Sequence, residues 1–295
     1  MKNIKLFFIA LGIMSINSCN QDSTDLNESL PQEDAQKFQL GAKLVDEDTY
    51  NSFQRIDMNE LAMEYKGKNI STQAKSLPTS YTMISPPVGN QGREGSCVAW
   101  AIAYAALTSM DFNFNGPVGT STRSPEYMFN QIKVGNTCTA GSYITSGMNL
   151  AKNQGVCGWN EMYYTDAGCS TQPNASQRAA AKAHRFQTWG TADKTNIEGI
   201  KAAISMNFPI ILGIKVDQSF YDMQYTGWIW KSHYGKFYGG HAVCVIGYDD
   251  SKNAFKVQNS WGTSWGDSGY FWIDYDFFKK TTNGAATEAY VATML

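Results

Sequence analysis

Residues 97–111, CVAWAIAYAALTSMD, are apolar on nearly every face of a helix and rich in alanine, the best helix former. Such a helix has no side to offer to water, so the rest of the chain must wrap it completely. It starts at Cys97 and is expected to end between Asp111 and Gly116. A domain that can surround it needs length. The chain has 295 residues with 43% hydrophobic content, and about 220 remain once the N-terminal export and polar segments are set aside, enough for one large domain or two halves.

Two further helices follow. SPEYMFNQIK has Ser124 as cap and Pro125 in the first turn, and TSGMNLAKNQG ends at Gly155. The second half changes character: HRFQTWG, PIILGIKV, HAVCVIGYDD, NAFKVQNSWG and YFWIDY are β-branched and aromatic runs separated by Gly, Asp and Asn. A helical half followed by an antiparallel sheet half implies an α+β fold with a cleft between two lobes.

The first residues carry Lys2 and Lys5, then an apolar run from Leu6 to Met14, then small or polar residues, the pattern of an export signal. The run is too short to span a bilayer as a mature helix. Residues 20–50 are polar and cannot fold alone. Residues 51–76 place Phe53, Ile56, Met58, Leu61 and Tyr65 at loosely helical spacing, which suits either a short propeptide or an ordered part of the linker. The expected organisation is a signal over 1–18, a polar tether with a candidate propeptide over 19–76, and a folded domain over 77–295. With 24 basic against 26 acidic residues, no charge excess draws the chain to nucleic acid. The three histidines, His184, His233 and His241, lack metal-ligand spacing, and no C-x-x-C pair occurs, so neither a metal nor another cofactor is expected.

The chemistry is concentrated in three residues. A thiol nucleophile needs a base to hold its proton, an orienter for that base, and donors for an oxyanion. Cys97 opens the buried helix, where unpaired N–H groups favour a thiolate. His241 lies in YGGHAVCVIGYDD at the start of a strand and can hold the proton. Asn259, 259 − 241 = 18 residues on, lies where the next strand can fix the histidine tautomer.

These residues sit in blocks that resemble the papain family of cysteine peptidases. NQGREGSCVAWA is similar to that family's cysteine block, GGHAV to its histidine block, and NSWGTSWGDSGYFWI to its asparagine block. The histidine follows the cysteine by 241 − 97 = 144 residues, inside the family spacing of about 130 to 150. The asparagine follows by 162, a little beyond it. The resemblance covers residues 77–295 and implies a two-lobed papain-like fold. It also implies Cys97 as nucleophile, His241 as acid and base, Asn259 as orienter and Gln91 as side-chain donor to the oxyanion, with the Cys97 backbone N–H as the other donor. Trp261 would roof the His–Asn contact or serve as a core tryptophan. Gly141 in CTAGS would hydrogen-bond substrate backbone, and Glu288 in ATEAYV would line the pocket for the second residue before the scissile bond, favouring basic side chains.

The chain also departs from the family. Glu94 stands where a cysteine is usual, so the bridge near the active site cannot form. Four spare cysteines allow three pairings; the resemblance points to Cys138–Cys169, leaving Cys157 and Cys244 as small buried hydrophobes. Gly240 resembles the cathepsin B pattern. The INSC segment ending at Cys19 resembles the lipobox of bacterial lipoproteins, with Asn17 a departure from it. It implies lipid attachment at Cys19, or otherwise plain secretion.

The resulting expectation is an exported monomer, anchored to the membrane through Cys19 and acting on protein or peptide substrates outside the cytoplasm. Two alternatives remain: a cell-wall peptide hydrolase, and a non-catalytic peptide-binding module on the same scaffold.

Overall fold

The structure, a computed structural model, describes residues 38–58, 60–61 and 76–294. The export signal and Cys19 lie outside these residues. No described helix is long and apolar enough to cross a membrane.

The central helix runs as three joined pieces: Cys97–Ala99 in α geometry, Trp100–Leu107 in wider π geometry, and Thr108–Asn115 in α geometry again. Every side chain from Cys97 to Asp111 is buried, as its uniform apolarity requires. It stops at Gly116, which takes φ 85°, a conformation nearly closed to residues with a Cβ. Helix Pro125–Ile132 is capped by the Ser124 side chain, which accepts from the Tyr127 N–H. Helix Ile144–Asn153 ends before Gly155 at φ 83°. These helices pack against one another and against the central helix.

The strands are β1 Ala42–Lys43, β2 Ser80–Thr82, β3 Ser142–Tyr143, β4 Thr188–Thr191, β5 Ile210–Asp217, β6 Ile229–Trp230, β7 Phe237–Asp249, β8 Ala254–Gln258, β9 Tyr270–Asp274 and β10 Ala286–Thr293. An eight-stranded sheet has the order β4-β10-β5-β7-β8-β9-β6, with β2 added beside β7. All its pairings are antiparallel except β6 with β9. The central helix and helix Ile197–Ser205 both pack on β7, which explains why eight consecutive residues of that strand, His241 to Tyr248, are buried. The α+β architecture is as expected. β10, which the sequence did not single out as a strand, is an edge-to-edge filler between β4 and β5. Its alanines have weak strand preference, and pairing on both sides overrides it.

The tether reading needs correction. Of the span 19–76, residues 38–58 lie against the domain. Gln54 and Ile56 exchange backbone hydrogen bonds with Thr191 on β4, and Phe53 packs on Trp189 and Tyr290. The Tyr50 hydroxyl both donates to the Ala289 carbonyl and accepts from its N–H. A short helix forms at Glu47–Ser52, and Met58, Glu60 and Leu61, inside the 51–76 window, are helical as well, with Met58 and Leu61 buried in the core. This segment has no core of its own; it is ordered by the backbone edges and aromatic rings of the domain, which composition cannot reveal.

Candidate active site

Cys97 occupies the first turn of the central helix, and the helix is held in the cleft wall by its own burial. His241 is the fifth residue of β7, not its first, and pairs with Ile214 of β5. Asn259 directly follows β8. The antiparallel β7–β8 pairing brings the two side chains together: His241 Nε2 lies 2.8 Å from Asn259 Oδ1. The same oxygen accepts the Ser260 N–H at 2.8 Å. An atom accepting from a backbone N–H is the amide oxygen, so it must accept from His241 also, and Nε2 carries the proton. Nδ1 is left as the basic nitrogen; it is buried with no hydrogen-bond partner among the described residues. The Cys97 sulfur faces the backbone N–H groups of Ala242, next to His241, and of Gly41.

Trp261 is buried with its ring centroid 4.7 Å from that of His241. Phe38 stacks on Trp261 at 4.6 Å and 8°. Gln91 is fully buried. Its side-chain oxygen accepts from the Ser260 hydroxyl at 2.7 Å, and its amide nitrogen donates to the carbonyls of Glu94 and Gln39 at 2.7 and 3.0 Å. Cys97, His241, Asn259, Gln91 and Trp261 are thus assembled at one place. Ser260, which fixes both Asn259 and Gln91, was overlooked, although it lies inside the asparagine block.

Residues 38–45 run along this site. β1 pairs with β3 in parallel, and the Ser142 N–H donates to the Gly41 carbonyl at 2.8 Å. Within this chain the backbone bond to the covering segment is made by Ser142, next to Gly141. Gly141 gives its own carbonyl to Val134, and its contribution is to lack a Cβ: one placed there would strike the Gly41 carbonyl, and φ is +74°. Gly240 and Gly41 are similarly close to backbone, Gly240 to the Ala42 carbonyl and Gly41 to the Gly95 carbonyl. Leu44 approaches Gly213 between Ile144 and Glu288. Glu288 is buried, accepting from the Val45 N–H at 2.6 Å and from the Tyr290 hydroxyl at 3.0 Å; burial raises its pKa, opposed by those two bonds.

The electrostatics differ from the sequence expectation of a thiol lowered by the helix start. Burial pushes the Cys97 thiol up to about 11 against the N–H groups of Ala242 and Gly41. Burial pushes the His241 imidazole down to about 4, opposed by Asn259. Desolvation disfavours each charged form, so burial beneath residues 38–45 works against the thiolate and the imidazolium alike.

Cys138 and Cys169 are joined in a disulfide. Cys157 and Cys244 are free and buried, with thiols raised chiefly by desolvation. Among the described residues, Glu94, Cys138 and Cys169 bring potential ligand atoms within 4.8 Å of one another, but both sulfurs are committed to their bridge.

The sequence pattern of the papain family of cysteine proteases matches residues 77–293. A peptidase C1-like protein of Acanthamoeba polyphaga mimivirus is 32% identical over 200 residues, 64% of this chain and 64% of that protein. Cysteine proteinase 1 of Entamoeba histolytica is 28% identical over 211 residues, 68% and 63% respectively. The chain thus spans less than two thirds of the length of these relatives. Among solved structures, xylellain, a cysteine protease from Xylella fastidiosa, superposes with TM-score 0.68 at 22% identity, covering 88% of this chain and 96% of that one. Procathepsin L2 from Tenebrio molitor larval midgut superposes with TM-score 0.65 at 21% identity, covering 90% and 81%. These two likenesses establish a common fold.

Proposed function

The chain belongs to the papain family of cysteine proteases, and from that premise we propose that it hydrolyses peptide bonds in proteins or peptides outside the cytoplasm through Cys97, His241 and Asn259. The observation that carries this reading is the 2.8 Å bond from His241 Nε2 to Asn259 Oδ1, which leaves Nδ1 free to take the thiol proton. In an open cleft, water and a bound substrate replace the covering segment, and transfer of the Cys97 proton to Nδ1 gives thiolate and imidazolium. The thiolate attacks the scissile carbonyl carbon. The oxygen, now negative, is received by Gln91 Nε2 and the Cys97 N–H. His241 then passes its proton to the leaving amine, forming the acyl-enzyme, and activates a water that releases the acid.

Residues 38–45 are the inhibitory segment in this reading. They occupy Gln91 Nε2 through the Gln39 carbonyl and Ser142 through the Gly41 carbonyl, so a substrate must displace them. Glu288 sets a preference for basic residues in the pocket where Leu44 sits. The export segment and lipid attachment at Cys19 place the enzyme at the cell envelope as an anchored monomer. The test is casein or peptide cleavage by the purified chain, with Cys97→Ala as control, and labelling by an epoxysuccinyl thiol inhibitor. Absence of both cleavage and adduct after removal of residues 38–45 would refute the reading.

A further inference from the structure

The loop from Gln91 to Cys97 carries both oxyanion donors, the Gln91 side chain at one end and the Cys97 N–H at the other. Glu94 stands in its middle and offers no covalent tie. The loop is instead held by its ends. The Gln91 N–H donates to the Ser260 carbonyl at 2.8 Å, and the Gly95 N–H donates to the Cys138 carbonyl at 2.8 Å. From behind, one phenol reaches both ends: the Tyr164 hydroxyl donates to the Gln91 carbonyl at 2.7 Å, and it lies 2.7 Å from the Ser96 hydroxyl. A phenol has one proton to give. With that proton on the Gln91 carbonyl, Ser96 is the donor to Tyr164, so the order Ser96, Tyr164, Gln91 forms a single directed chain. Ser96 contributes the peptide unit that carries the Cys97 N–H.

We propose that Tyr164 is a positioning residue for the oxyanion site, its hydroxyl fixing the separation of the two donors at Gln91 and Cys97. The ring is itself immobilised, edge-on to Trp100 at 4.8 Å and tilted against Trp159 at 6.3 Å. Burial raises the Tyr164 pKa far above its ordinary value, with the Ser96 bond opposing and Glu94 adding to the rise, so the hydroxyl keeps its proton throughout the working pH range. Two short hydrogen bonds on a rigid ring set the loop more tightly than the surrounding apolar contacts can, because hydrogen bonds are directional and dispersion is not.

The inference rests on the reading of Gln91 and the Cys97 N–H as oxyanion donors, and the experiment separates the two. In the full chain, Tyr164→Phe retains the ring and removes the hydroxyl. Loss of one such bond is expected to lower kcat about tenfold, with KM changed less than about twofold. Inhibition by a peptide aldehyde, whose hemithioacetal oxygen occupies the oxyanion position, should weaken by a similar factor. Alkylation of Cys97 by iodoacetamide forms no oxyanion and should proceed at the parent rate. Gln91→Ala is the reference: if it leaves aldehyde inhibition unchanged, the oxyanion reading itself fails. If Gln91→Ala weakens the aldehyde while Tyr164→Phe does not, or if Tyr164→Phe slows alkylation as much as turnover, the positioning role is overturned. Ser96→Ala removes the other link of the chain and gives the same split between aldehyde and alkylation should Tyr164→Phe not fold.

Discussion

The Ser142 N–H donates to the Gly41 carbonyl at 2.8 Å, within a strand pairing that runs parallel. The covering segment is therefore matched to the cleft by backbone geometry, with the glycines at 41, 141 and 240 leaving no side chain between the two chains.

This contact is most open to test at Gly41, where a Cβ would strike the Gly95 carbonyl. Gly41→Val should unseat residues 38–45 at a cost of about 1–3 kcal/mol. Labelling of the intact chain by an epoxysuccinyl inhibitor should then accelerate at least about fivefold. Unchanged labelling would show that the segment does not limit access.

Gln91→Ala should reduce turnover about 100- to 1,000-fold, because it deletes a donor from the oxyanion site. Asn259→Ala frees the His241 ring and should remove part of the roughly 100- to 10,000-fold contribution of acid–base catalysis. Steady-state kinetics on one peptide substrate checks both; parent-like kcat in either variant contradicts its assigned role.

Glu288→Gln removes the charge while keeping an acceptor for the Val45 N–H and Tyr290 hydroxyl. Preference for arginine over leucine at the second residue before the cleaved bond should fall about tenfold or more, the scale of a charge-assisted bond. A peptide library cleaved identically by parent and variant would remove Glu288 from the pocket's specificity.

Glu94 is buried and its carboxyl oxygens lack a partner at full hydrogen-bonding geometry among the described residues, with the nearby Tyr164 hydroxyl only partly opposing the cost of burial. Burial first, then the nearby Glu126 carboxylate, push its pKa from 4.5 up to about 7. The folded state thus binds a proton that the unfolded chain has lost. The stabilisation is complete below about pH 4.5 and disappears as pH rises through about 7. Glu94→Gln does not titrate, so its melting temperature relative to the parent should climb between pH 5 and pH 8. A difference that is flat across this range would exclude the shifted carboxyl.

The chain's local chemistry was legible wherever one segment determines its own surroundings. CVAWAIAYAALTSMD had to be a buried helix because it has no polar face, and Ser124, Pro125 and Gly155 mark helix limits through dihedral and capping preferences that need no partner. The catalytic candidates were legible through motif blocks whose order and spacing are themselves sequence properties. What remained hidden depended on groups far apart in the chain. Composition made residues 38–50 a tether, yet they are ordered by Ser142, Gln91 and Glu288, none of which is near them in sequence. β10 needed β4 and β5 on its two sides to overcome its alanines. Tyr164 carries no motif, and its contact with Gln91 spans 73 residues. The bias of Cys97 and His241 against charge likewise follows from desolvation, which only the folded surroundings impose. Sequence fixes propensity and chemical identity; hydrogen bonding between distant segments and exclusion of water arise only once the lobes and the covering segment close together.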